Sequence, residues 1–245
     1  MNRFARILLL NLFRLPGAYA KLCHYAKHTD SYPETEKYQH IQYIMKRAVK
    51  ASNVDLKVYG TEHIPKENGF LMYSNHQGLF DVIAVVATCD ANLATVLKKE
   101  LKNIPIIKQI ITCTNSFPMD REDVRQSMGV IQSVIKEVSD GRNYVIFPEG
   151  TRSKNGNQMG EFHGGSFRCA TKTKCPIVPI ALIDSFKALD QKGSKPVTVQ
   201  IHYLDPIYYE EYKDMKTVEI AALVKKRIAE EIELHTSKQL RTDVI

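Results

Sequence analysis

The chain is poor in the features that would settle its class by exclusion. No segment of the 245 residues reaches the roughly 18 to 20 apolar residues that a bilayer-spanning helix requires. Cysteine is sparse: five residues (Cys23, Cys89, Cys113, Cys169, Cys175), odd in number and without a CxxC pair. That speaks against a disulfide framework and fits buried or idle thiols in a reducing cytoplasm. There is no Gly-x-Ser-x-Gly nucleophile elbow, no Walker A sequence and no GxGxxG, so an acyl-serine mechanism and a nucleotide cofactor both lack support. Repeats and low-complexity tracts are absent too. Lys and Arg are scattered among acids with no nucleic-acid motif, which makes nucleic acid a poor partner.

What is there is an ordinary folding composition. With 44% hydrophobic and 25% charged residues the chain is long enough for one large α/β domain or two small ones. The net charge of +7 calls for an anionic partner, either a phosphate-bearing substrate or an anionic membrane surface.

The N-terminus is unusual. Ile7-Leu8-Leu9-Leu10-Asn11-Leu12-Phe13 is flanked by Arg3, Arg6, Arg14 and Lys21 and stopped by Pro16-Gly17. A cleaved signal peptide fits poorly, because no small-residue cleavage site is followed by a disulfide-rich chain. A short basic, apolar segment suits lying in a membrane interface, with a helix packed on its own domain as the alternative. Residues 34–53 place Ile41, Ile44, Met45, Ala48 and Val49 on one helical face. The two segments are expected to form a membrane-associating arm over residues 1–53, separate from an α/β domain over residues 54–245.

From residue 56 strands and helices alternate. Strands are expected at 56–60, 70–73, 94–97, 116–119, 143–147, 177–183 and 197–203. Between them lie helices at 79–88, 121–139 and 166–173, shorter helical pieces at 98–102 and 106–110, and a closing helix at 216–234. This alternation predicts the α/β class: a single, mostly parallel sheet flanked by helices.

Four strand-end loops carry the polar residues. Ser74-Asn75-His76-Gln77-Gly78-Leu79-Phe80-Asp81 links an apolar strand to an apolar helix, where α/β proteins place their chemistry. A tight turn would bring Asp81 behind the His76 imidazole, holding one ring nitrogen and leaving the other as a base. The plainer reading is a turn histidine and a helix-capping aspartate. Phe147-Pro148-Glu149-Gly150-Thr151-Arg152-Ser153 joins an acid, a glycine that frees the backbone and a guanidinium suited to bidentate phosphate binding. Phe117-Pro118-Met119-Asp120-Arg121 and Lys98-Lys99-Glu100-Leu101 add cations at two more strand ends. Loops after parallel strands converge, so these cations are expected around His76, although any one of them alone reads as a solvated surface charge.

These blocks resemble the 1-acylglycerol-3-phosphate (lysophosphatidate) acyltransferase family of glycerolipid acyltransferases. Its Asn-His-(four residues)-Asp signature is matched by Asn75, His76 and Asp81, and its Phe-Pro-Glu-Gly-Thr-Arg-Ser signature stands intact from Phe147 to Ser153. Its intermediate block is matched at Arg121, its Lys-x-Glu-Leu at Lys98, Glu100 and Leu101, and its Val-Pro-Ile at Val178, Pro179 and Ile180. The likeness covers about residues 55–185. It implies His76 as general base, oriented by Asp81, with the acceptor hydroxyl attacking a thioester directly. Lys98, Arg121, Glu149, Gly150, Thr151 and Arg152 are implied for acceptor-phosphate binding and site shape, and Val178, Pro179 and Ile180 for packing.

The resemblance also implies no metal and no resident cofactor. Coenzyme A or acyl-carrier protein would bring the acyl thioester as co-substrate, a lysophospholipid would accept it, and the enzyme would sit peripherally on the cytoplasmic face of the membrane. Acceptors other than 1-acylglycerol 3-phosphate, and a non-catalytic lipid-phosphate-binding protein, are the competing readings. The chain departs from the family pattern at Lys108 and Thr114, where glycines are common, and at Phe162-His163-Gly164-Gly165, where Phe-Lys-x-Gly is common. These changes bear on acceptor specificity. His24 and His28 stand four apart without an evident third metal ligand, and His40, His63, His202 and His235 read as isolated.

Overall fold

The computed structural model describes residues 1–242, with side chains through residue 237. Three apolar runs become the middle of one seven-stranded sheet. β2 (Leu71–Ser74), β5 (Asn143–Ile146) and β6 (Ile177–Ile183) are buried at every position, as strands covered on both faces must be. β1 (Val54–Tyr59), β3 (Leu93–Lys98), β4 (Phe117–Met119) and β7 (Val197–Tyr203) complete the order β1-β7-β6-β2-β5-β3-β4. β6, β2, β5, β3 and β4 run parallel, while β7 is antiparallel to β6 and β1 is parallel to β7. The five parallel strands therefore release all their following loops at one edge, and every polar block named above leaves from that edge.

Residue alternation sorts the side chains of the strands between two apolar layers. Leu71, Tyr73, Tyr144, Ala181 and Ile183 face α6 (Val124–Ser139), α7 (Arg168–Thr173) and the long α10 (Thr217–Thr242). Met72, Val145, Val178, Ile180 and Leu182 face α4 (Phe80–Thr88) together with two helices from the N-terminal segment. Burial pushes the Cys89 and Cys169 thiols up to about 12 and Cys175 to about 11, so these free cysteines stay protonated and inert. Short helices α5 (Ile107–Thr114), α8 (Phe186–Leu189) and α9 (Tyr209–Tyr212) fill the connections.

The N-terminal segment departs from the sequence expectation in two ways. It forms three helices, α1 (Arg3–Leu10), α2 (Leu15–Lys27) and α3 (Glu34–Ala51). Pro16 opens α2 instead of ending a helix, because the first turn has no use for its missing N–H. Nor do residues 1–53 stand apart: Leu22, Tyr25, Tyr38 and Ile41 are buried in the same apolar layer as Phe80 and Val178. The Gln42 amide also donates to the Cys89 carbonyl at 2.9 Å, joining α3 to the end of α4.

α1 and the turn that follows it keep an open apolar face. Phe4, Leu8, Leu9, Leu12 and Phe13 are exposed, Phe13 by 95%. Arg3 is nevertheless buried and donates to the carbonyls of Lys187 at 2.8 Å and Lys195 at 2.7 Å, which staples α1 to α8. Among the described residues no helix is long and apolar enough to cross a membrane.

Candidate active site

β2 ends on Ser74, and the next residue fixes where the loop goes. The buried Asn75 amide donates to the Leu182 carbonyl at 2.9 Å and accepts from the Leu182 amide at 2.8 Å, completing the pairing to β6 beyond the strand end. The chain then turns into α4, whose first turn carries Asp81. The Asp81 side chain is wholly buried, and its Oδ2 accepts from the amides of Gln77 at 2.6 Å and Gly78 at 2.9 Å. The same oxygen meets His76 Nδ1 at 2.6 Å. A carboxylate oxygen can only accept, so Nδ1 donates to it, and in the neutral imidazole Nε2 is the nitrogen with the lone pair. The His76 ring is 18% exposed and lies against Phe147 at 4.4 Å between centroids, leaving Nε2 accessible while the rest of the ring is held.

The loop after β5 wraps this pair from the other side. Glu149 is 4% exposed, and its two oxygens accept from the His76 amide at 2.7 Å and the Gly160 amide at 2.7 Å. Burial raises the Glu149 carboxyl above its usual range, and the two amides and His76 pull it back. The sequence placed Glu149 among the substrate ligands. Both its oxygens are instead committed to backbone, so it ties two loops together. Ser153 adds a third tie by donating its amide to the His76 carbonyl at 2.8 Å.

Gly150 turns with φ +69°, and a Cβ there would lie 3.5 Å from His163 Cδ2 and 3.9 Å from Arg121 Nε. Arg121 and His163 thus flank the same glycine, next to the residue that holds His76. Arg121 forms no ion pair among the described residues, and desolvation by nearby protein lowers its proton affinity, although the residue remains exposed. Arg152 is differently placed: it donates to Asp190 Oδ1 at 3.0 Å, while Asp190 Oδ2 accepts the Leu79 amide at 2.8 Å. Asp190 also fills the space beside Gly78, where a Cβ would come within 2.3 Å of its Oδ2. Thr151 is exposed and stands between Gly150 and Arg152 in the chain. Lys98 ends β3, one strand beyond β5, and pairs with Glu100 at 3.2 Å on the rim. Its neighbour Lys99 pairs with Asp120, holding that carboxyl below its usual range.

The structure therefore gathers His76, Asp81, Glu149, Gly150 and Arg121, links Arg152 through Asp190, and leaves Lys98 at the edge. Val178, Pro179 and Ile180 lie in β6, where Val178 and Ile180 are core residues. Sequence reading missed the polar scaffold beneath the loop. Gln77 donates to Asn157 Oδ1 at 2.8 Å and the Leu182 carbonyl at 2.9 Å, and accepts from the Ser185 amide at 2.8 Å. Asn157 also bonds Asp184 on both backbone and side chain. The signal available for Gln77 was its place inside the Asn75–Asp81 block.

A profile described as acyltransferase matches residues 55–183, more than half of the 245 residues. The chain belongs to this family. Among curated relatives, the 1-acyl-sn-glycerol-3-phosphate acyltransferase of Helicobacter pylori is 30% identical over 154 residues, which are 59% of this chain and 65% of that protein. The enzyme of the same name from Borreliella burgdorferi is 26% identical over 203 residues, 79% of this chain and 80% of that one. The segment matching the Helicobacter protein is just under two thirds of that protein's length. The crystal structure of the 1-acyl-sn-glycerophosphate (LPA) acyltransferase PlsC from Thermotoga maritima has the same fold, with a TM-score of 0.75 over 96% of this chain and 98% of that one at 23% identity.

Proposed function

We propose that this acyltransferase moves a fatty acyl group from a coenzyme A or acyl-carrier-protein thioester to the sn-2 hydroxyl of 1-acylglycerol 3-phosphate, giving phosphatidate. The observation that carries the reading is the 2.6 Å contact from His76 Nδ1 to a fully buried Asp81 already fixed by two backbone amides. That arrangement orients one base and nothing else. His76 Nε2 takes the acceptor hydroxyl proton as the oxygen attacks the thioester carbonyl. The tetrahedral intermediate collapses, the C–S bond breaks, and the departing thiolate takes the proton back from the imidazolium. Asp81 stabilises the cation formed in between, and a base so placed contributes on the order of 10²- to 10⁴-fold.

Arg121 is the cation best placed for the acceptor phosphate, since it flanks Gly150 and forms no ion pair among the described residues. Arg152 would reach the phosphate only by sharing Asp190, so its first role is to brace the loop. The names of the relatives supply the acceptor, and the net charge of +7 suits an anionic lipid on an anionic surface. The exposed ridge of α1, with Arg6 and Arg14 beside it, would lie in the interface of the cytoplasmic leaflet as a peripheral anchor. Because Arg3 staples α1 to α8, and α8 is followed by Asp190, that ridge sits on the same support as the His76 loop.

The test is release of free thiol from acyl-coenzyme A and acyl-carrier protein with a panel of acceptors in lipid or detergent. Release that requires 1-acylglycerol 3-phosphate is the expected result. Release with glycerol 3-phosphate or another lysolipid alone would move the acceptor, and no release with any of them would favour a binding protein.

A further inference from the structure

His202 and His235, isolated in the sequence, meet on the face of the sheet opposite α4. His202 lies on β7, near the antiparallel edge, with its side chain turned to the face covered by α10. Glu231 and His235 are four apart on α10 and so share one helix face. Glu231 Oε1 stands 2.7 Å from His202 Nδ1 and 3.1 Å from His235 Nε2, and the three ligand atoms all lie within 4.8 Å of one another. One carboxylate oxygen is thus approached by two imidazole nitrogens.

We propose that His202, Glu231 and His235 bind a divalent transition metal of the zinc class and thereby fasten the C-terminal helix to the β1–β7 edge of the sheet. Two imidazoles and one carboxylate are a donor set for such an ion. Ligand atoms around a tetrahedral zinc stand about 3.4 Å apart, given bonds of about 2.0 to 2.1 Å, so the present separations need to change by well under a rotamer step. The outer contacts are also in place. His202 Nε2 lies 3.1 Å from Gln200 Oε1, and Tyr59 stacks on His202 at 4.5 Å and on His235 at 6.1 Å, which fixes both rings. His202 is 4% exposed, whereas Glu231 and His235 are 23% and 27% exposed, so water can reach the fourth position. His202 and Glu231 also border a groove of about 990 Å³, giving the ion a route in from solvent.

The 245-residue protein, stripped with a chelator, is titrated with Zn²⁺ by equilibrium dialysis and followed by thermal unfolding. The wild type is expected to hold one equivalent and to gain about 5 to 10 °C in Tm at a hundredfold excess over Kd. His235→Ala and Glu231→Gln, both on a half-exposed helix face, are expected to fold with a metal-free Tm near that of the wild type and to bind at least tenfold more weakly. His24→Ala serves as the control for the His24–His28 pair at the end of α2 and is expected to bind like the wild type. No zinc in the wild type, undiminished affinity in His235→Ala and Glu231→Gln, or loss of the ion only in His24→Ala would each overturn the proposal.

Discussion

The His76–Asp81 pair and the His202–Glu231–His235 cluster use the same side-chain chemistry with opposite geometry. In the first, one buried carboxylate oxygen is held by two amides of its own loop and offers its remaining capacity to one imidazole. The imidazole is left with a single accessible nitrogen, the requirement for a base. In the second, one carboxylate oxygen is shared by two imidazoles from different elements, with aromatic stacking on both. Such convergence suits a cation and not a proton transfer to substrate. The two regions show that what a histidine and a carboxylate do together is decided by what else holds the carboxylate.

That contrast can be broken most forcefully by neutralising each carboxylate. Asp81→Asn is expected to lower kcat by about 10²- to 10⁴-fold with the fold retained, because an amide no longer imposes the Nδ1–H tautomer. Glu231→Gln is expected to change kcat less than twofold in the same thiol-release assay. Equal losses in both would erase the distinction. Arg121→Ala sharpens the picture of the first region: loss of a charge-assisted contact of about 1.5 to 3 kcal/mol predicts a 10- to 150-fold fall in kcat/KM, carried mainly by KM for a phosphate-bearing acceptor. A comparable fall with an acceptor lacking phosphate would remove Arg121 from that role.

Glu149→Gln is a smaller and more structural test. A glutamine offers one acceptor where two amides need one each, so a loss of about 1 to 3 kcal/mol is expected by denaturant unfolding. The sign of its pH dependence is also fixed. Burial raises the Glu149 carboxyl above its unfolded value, so the contribution of this group is fully present below the usual glutamate range and is lost as pH rises through the raised value. The difference in stability between wild type and Glu149→Gln should therefore change across that acidic window and be flat above it. The least effect on the isolated chain is expected from Leu9→Glu with Phe13→Glu. Both side chains are exposed, so Tm should hold while binding to anionic vesicles falls. Unchanged vesicle binding would take the α1 ridge out of membrane association.

Much of the first region was legible from sequence because its residues lie close along the chain. His76 and Asp81 are five positions apart, and the strands that carry the loops, such as the seven buried residues of β6, are continuous apolar runs. The arrangement became invisible where it depends on long-range polar contacts. Gln77 to Asn157 and Asp190 to Leu79 join residues about 80 and 111 apart, and loop amides leave no periodic trace. The inward aim of Glu149 was hidden for the same reason, since nothing in Pro148-Glu149-Gly150 says that its oxygens face two backbone amides. The separate arm failed because an amphipathic pattern marks an apolar face but not what covers it. For α2 and α3 the cover is the sheet layer, and for α1 it is open. His202 and His235 looked isolated because 33 positions separate residues that the pairing of β7 with α10 brings together.

In the proposed reaction an oriented His76 is the base for acyl transfer. That role is tested most directly by the single-turnover rate of acyl transfer to 1-acylglycerol 3-phosphate in wild type and His76→Ala, with thermal unfolding of both. A rate lower by about 10²-fold or more at an unchanged Tm is the predicted result. A His76→Ala protein that still transfers the acyl group at the wild-type rate would remove His76 from the role of base.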